Sequence, residues 1–231
     1  MQTILITRYN VPLKFETSSS NPMDPIWLNK REKLFRDYCL PSIKQQTNKS
    51  FVWAIGIHYN YTPEFLSDLP ENAIIIKCKS SDDFTSQLKN LATNGTIISA
   101  RLDSDDAIAA NYIEKLRNFG TFFDLSPDIF PSLCALNFRT GCEFVTQERR
   151  FYNRDYPNSS FVAVFDRGHQ KPAQLVTSFH HAHIHKSMPT CNIQTNEPMW
   201  CIGLHDNNVG NVLKGTLEES LAEKSVKLFG F

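Results

Sequence analysis

Asp103-Ser104-Asp105-Asp106 places three carboxylates within four residues. Alternate side chains of an extended segment point the same way, so Asp103 and Asp105 can face one hard cation together. Mg²⁺ or Mn²⁺ held by one or two carboxylates keeps coordination positions open for substrate phosphates. Asp106 is either a further acid of this cluster, able to act in catalysis, or the N-cap of a helix that starts next. Arg101, two residues upstream, can reach a phosphate or pair with a carboxylate. A second group, His180, His181, His183 and His185, falls within six residues. On a strand, His181, His183 and His185 would share one face at roughly 6–7 Å spacing. Such a face is expected to be a polar strand surface first, and a contact to acceptor or phosphate second.

The acid cluster needs a strand to deliver it, and residues 96–102 (Thr-Ile-Ile-Ser-Ala-Arg-Leu) read as one. Ligands of open α/β sheets bind outside the C-terminal ends of such strands. Upstream, apolar runs at 3–7, 51–58 and 73–78 read as buried strands. Helical spacing over 25–40, 63–69 and 82–93 separates them, with Pro25 suited to a helix start and Pro41 to its end or to a kink. A further helix is expected over 107–119. This alternation predicts a mostly parallel sheet with helices on both faces. The second half reads as strands at 133–138, 144–152, 161–165, 175–185 and 199–204, then a terminal helix over 216–228. That pattern suggests a mixed or antiparallel extension of the same sheet, within a single domain spanning 1–231.

The bulk composition narrows the function classes. Lys plus Arg number 24 and Asp plus Glu also 24, so no basic field points to nucleic acid. The 41% hydrophobic content suits one packed α/β domain. The six cysteines show no CxxC pair and are expected as small buried hydrophobes in a reducing compartment. The apolar stretch at the N-terminus is too short for a signal peptide, and no run reaches the ~18 residues that cross a bilayer. The expected location is the cytoplasm, at most peripheral at the inner face of a membrane.

Ile-Ser-Ala-Arg-Leu-Asp-Ser-Asp-Asp-Ala resembles the Asp-x-Asp strand end of GT-A glycosyltransferases. Three segments in order, Leu-Ile-Thr-Arg-Tyr-Asn (5–10), Tyr-Cys-Leu-Pro-Ser-Ile-Lys-Gln-Gln (38–46) with Phe-Val-Trp (51–53), and Arg-Leu-Asp-Ser-Asp-Asp-Ala (101–107), resemble the rhamnosyltransferase family of bacterial polysaccharide synthesis. The resemblance implies a Rossmann-like GT-A fold in which 1–120 binds a nucleotide-sugar and 121–231 serves a saccharide acceptor. It implies a donor such as dTDP-rhamnose, inverting transfer, and a divalent metal (Mn²⁺ or Mg²⁺). Carried over, Asp103 and Asp105 would contact metal and donor, while Thr7, Arg8 and Asn10 would border the nucleotide, with Arg101 near phosphate. Such enzymes often take a third metal ligand from near the C-terminus, and His205 suits that task.

An inverting transfer needs a base for the acceptor hydroxyl. Asp166, after the strand 161–165, is the leading candidate, with a turn aspartate as its alternative role; Asp206 and Glu197 are weaker. Two other classes compete. A nucleotidyltransferase would usually carry a Gly-rich loop after the first strand, which Thr7-Arg8-Tyr9-Asn10-Val11-Pro12 lacks. A non-catalytic carbohydrate or nucleotide binder on the same frame is the other.

Overall fold

The computed structural model describes residues 1–12, 21–93, 95–168, 173–206 and 212–231. In chain order the elements are β1 (Gln2–Arg8), α1 (Pro25–Leu34), α2 (Leu40–Lys44), β2 (Val52–His58), β3 (Ala73–Cys78), α3 (Ser81–Leu91), β4 (Ile97–Arg101), β5 (Ala107–Ile108) and α4 (Tyr112–Asp124). There follow β6 (Leu133–Phe138), β7 (Thr140–Val145), β8 (Arg150–Asp155), β9 (Ala163–Asp166), α5 (Ile184–Ser187), β10 (Thr190–Ile193), β11 (Trp200–Leu204), β12 (Thr216–Leu217) and α6 (Ser220–Phe229).

The first sheet has the order β10-β6-β9-β4-β1-β2-β3. Only β9 among its strands runs antiparallel to its neighbours. The strict alternation of β1 explains how both faces are covered. Leu5 joins Trp53, Phe35, Ile113 and Leu116 on the face of α1, α2 and α4. Ile4 and Ile6 join Phe84, Leu88 and Ile184 on the face of α3 and α5. This is the expected mostly parallel α/β sheet.

Five local readings need correction. The helix from Pro25 does not stop at Pro41. A π turn over Phe35–Cys39 lets it continue into α2, absorbing the proline that an unbroken α-helix would reject. The expected helix over 107–119 is preceded by the two-residue strand β5 and starts only at Tyr112. The run 144–152 is the β7–β8 hairpin turn with its flanks, and 175–185 is not a strand. It forms short helical turns at Val176–Ser178 and His181–His183 ahead of α5. His181, His183 and His185 therefore do not line a strand face. Finally, β7, β8, β11 and β12 do not extend the first sheet. With β5 they make a second one, in the order β12-β8-β7-β11-β5.

The two sheets share one apolar core, in which Trp200, Phe138, Cys142 and Phe144 pack with Ile98, Ala100 and Tyr112. All six cysteines are free thiols, and five are buried as expected of small hydrophobes. Among the described residues, no helix is long and apolar enough to cross a membrane.

Candidate functional site

The pairing of β4 with β1 continues one residue past the strand, where the Leu102 N–H donates to the Ile6 carbonyl at 3.0 Å. The chain then turns at 103–106, closed by the Asp106 N–H on the Asp103 carbonyl at 3.2 Å. The acidic loop is thus fixed at the C-terminal edge of the sheet, beside the end of β1. From the second sheet β11 approaches it closely. The Gly203 N–H donates to Asp106 Oδ1 at 3.0 Å, and a Cβ on Gly203 would lie 2.5 Å from the Asp105 carbonyl oxygen. β11 ends one residue later, and His205 Nε2 then meets Asp105 Oδ2 at 2.9 Å.

Cations surround the carboxylates. Arg101 grips Asp103 through two parallel bonds, Nε to Oδ1 at 3.0 Å and Nη2 to Oδ2 at 2.7 Å. Arg31 reaches from α1 to Asp105 Oδ2 at 2.8 Å, its guanidinium 4.9 Å from the Trp27 ring centroid. Arg8 lies at the end of β1. Burial lowers its pKa, the neighbouring Arg101 lowers it further, and Asp103 opposes both.

These environments separate the three acids. Burial alone would raise the pKa of Asp103, but the guanidinium of Arg101, helped by Arg8 and Arg31, brings it down to about 2. Asp106 goes the other way. Burial first, then the charges of Asp105 and Asp103, push its pKa well above the ordinary carboxylate value. Its neutral form is favoured, and its bond to Gly203 ties the loop to β11. Because β5 follows directly, Asp106 does not cap a helix. Arg8, Arg31 and Arg101 thus gather beside the acidic loop, a setting that suits an anionic ligand.

Among the described residues, no three His, Cys, Asp or Glu side chains are arranged to hold a metal ion. The expected set of Asp103, Asp105 and His205 is therefore only partly assembled. Asp105 and His205 converge, while both oxygens of Asp103 are taken by Arg101. One carboxylate oxygen beside one imidazole nitrogen nonetheless suits a divalent ion whose remaining positions are filled by phosphate and water.

Other sequence candidates fall differently. The Thr7 hydroxyl is buried and accepts the Trp53 Nε1–H at 3.0 Å, which anchors the core. Buried Asn10 accepts the His58 N–H at 2.8 Å and donates to the Pro22 carbonyl at 3.2 Å, bracing the ends of β1 and β2. Asp166 is not brought to the acidic loop. It pairs with Ile97, at the start of β4 rather than its end, and accepts the N–H groups of Gly168 and Gln174. Those bonds fit its turn role. Glu197 lies before β11, at the end remote from His205, where it lines a cavity of about 380 Å³ with Thr140, Asp155, Glu218 and Lys224. Asp206 follows His205 and accepts a bond from Gln147.

Two residues join the site from elsewhere in the chain, Arg31 without any signal in the sequence and His181 from the histidine cluster read there as a strand face. Arg31 comes from α1, and His181 Nδ1 lies 2.9 Å from Arg101 Nη1.

The acidic loop and its arginines thus sit together at one edge of an α/β sheet. The chain belongs to the family described as “Putative rhamnosyl transferase”, whose model matches residues 4–216. Among solved structures it is similar to S. aureus TarS residues 1–349, with 11% identity, 88% of this chain and 60% of that one covered, and a TM-score of 0.46. It is similar also to a “putative nucleotide-diphospho-sugar transferase” from Desulfovibrio desulfuricans, with 8% identity, coverage of 89% and 82%, and a TM-score of 0.39. A third similarity is to Francisella tularensis 2-C-methyl-D-erythritol 4-phosphate cytidylyltransferase, with 8% identity, coverage of 97% and 98%, and a TM-score of 0.42. The chain spans about three fifths of the TarS fragment it matches. No curated protein matches the sequence.

Proposed function

We propose that the chain transfers a sugar, rhamnose by its family, from a nucleoside-diphosphate donor to a saccharide acceptor. The observation that carries this reading is the pairing of Arg31 with Asp105 and of Arg101 with Asp103 at the strand ends, with Arg8 close by at the end of β1. The acceptor hydroxyl oxygen attacks the anomeric carbon as the bond from that carbon to the diphosphate breaks. The bonding pair leaves with the diphosphate, and the hydroxyl proton passes to a base. Charge grows on the departing oxygens, where preformed guanidiniums stabilise it without reorganising. A divalent cation, when bound, adds Lewis acidity at the same phosphates, and Asp105 with His205 would hold it. Because Arg31 already pairs with Asp105, cation and diphosphate are expected to bind together rather than singly. Transfer would invert configuration and serve surface-polysaccharide synthesis on the cytoplasmic side.

Phosphorus NMR of the chain incubated with dTDP-rhamnose and Mn²⁺ tests the reading. Slow release of dTDP, through transfer to water in the absence of acceptor, is the expected result. Pyrophosphate formed from dTTP and a sugar phosphate, with dTDP-rhamnose left intact, would make the chain a nucleotidyltransferase instead.

A further inference from the structure

Arg101 uses one edge of its guanidinium on Asp103 and offers another nitrogen, Nη1, to His181 Nδ1 at 2.9 Å. Arginine can only donate, so Nδ1 must accept. The proton of the neutral ring therefore stands on Nε2. This tautomer leaves His181 with an N–H donor at Nε2, and Nδ1 cannot take a proton without releasing Arg101. His181 is thus unsuited to act as the base and suited to donate. Burial first, then the charge of Arg101, lower its pKa from 6.5 to about 4, so the ring is neutral at pH 7.

The ring is held from several sides. It stacks on His180 at 5.0 Å and 16°, and His180 stacks in turn on His183 at 5.1 Å. The following Ile184 is buried in the apolar cluster with Val176 and Met188. The Val176 N–H donates to Ser99 Oγ at 2.8 Å, which ties this segment to β4, the strand that ends at Arg101. The turn that carries His181 and the arginine it touches are therefore mounted on one strand.

We propose that His181 is a positioning residue of the donor site, which orients Arg101 through Nδ1 and presents Nε2–H to the phosphates of a nucleoside diphosphate. The inference rests on the donor-site reading above. Its consequence is that a histidine cluster distant in sequence from the acidic loop belongs to phosphate recognition.

The test is calorimetric titration of dTDP with Mn²⁺ into the full chain and into His181→Ala and His181→Gln, with melting temperatures as folding controls. Glutamine can supply both a carbonyl acceptor for Arg101 and an N–H donor. His181→Ala is expected to weaken dTDP binding about tenfold or more, since a hydrogen bond to a charged group is lost and a second is loosened. His181→Gln is expected to stay within about threefold of the unaltered chain, a rescue that a role in packing alone would not give. Equal affinity of His181→Ala and the unaltered chain would overturn the inference. So would a glutamine variant as weak as the alanine variant at the same melting temperature. If the unaltered chain binds no nucleoside diphosphate at all, the donor-site reading itself fails and takes this inference with it.

Discussion

Gly203→Ala will lose at least about 100-fold in kcat/KM, by the measure of an ångström-scale misplacement at a catalytic site. The reason is a backbone contact. A Cβ at this position would stand 2.5 Å from the Asp105 carbonyl oxygen, and no flexible side chain is available to yield. Either β11 or the acidic loop must retreat. Both movements separate His205 from Asp105, now 2.9 Å apart, and stretch the bond from the Gly203 N–H to Asp106. The same clash should cost about 1–3 kcal/mol of stability, as overpacking in a filled interior does. A melting curve alongside steady-state kinetics checks both. Activity within threefold of the unaltered chain would mean that the contact between loop and β11 does not set the site.

Asp105→Asn and Asp106→Asn should differ sharply although the residues are adjacent. Asp105 carries the charge that holds Arg31 and His205. Removing one partner of a partly buried charged pair costs about 2–5 kcal/mol, which corresponds to about 30- to 4,000-fold in binding or turnover. Asp106 is pushed towards its neutral form already, and asparagine keeps an oxygen to accept the Gly203 N–H. Its conversion should leave kcat within about threefold. Asp106→Ala is different again, because it leaves the buried Gly203 N–H without an acceptor at about 1–3 kcal/mol. If Asp106→Asn instead abolishes turnover while the fold persists, Asp106 is a catalytic acid and not a strut.

The parallel half of the fold was legible because its strands are continuous apolar runs, such as Ile4-Leu5-Ile6 and Ile74-Ile75-Ile76, separated by helical spacing. The second sheet was not. β8 (RFYNRD) alternates only weakly and β12 spans two exposed residues. Nothing in a strand's own sequence says which sheet will accept it. The histidine segment misled because a short run of helical turns has no period long enough to read. At the site, Asp103, Asp105 and Arg101 lie together in the chain and could be seen together, and the resemblance to known transferases added His205. Arg31 could not be found this way, and His181, noticed in its cluster, could not be placed beside Arg101. Each reaches a partner more than 70 residues away, and such pairs form only once α1 and the turn before α5 fold over the end of β4. Asp166 misled for a related reason. It closes a strand, as the last residue of β9, but β9 runs antiparallel, which carries its end to the wrong edge of the sheet.

The central claim is that the arginine-flanked acidic loop is a nucleoside-diphosphate site. Calorimetric titration of dTDP into the chain, once with Mn²⁺ and once with EDTA, tests it most directly. The expected result is one site per chain whose affinity rises with Mn²⁺ and is lost in Asp105→Asn, with Mn²⁺ alone binding weakly. Absence of binding by dTDP, UDP or GDP with or without metal would contradict the account and leave a non-catalytic binding protein on a transferase frame.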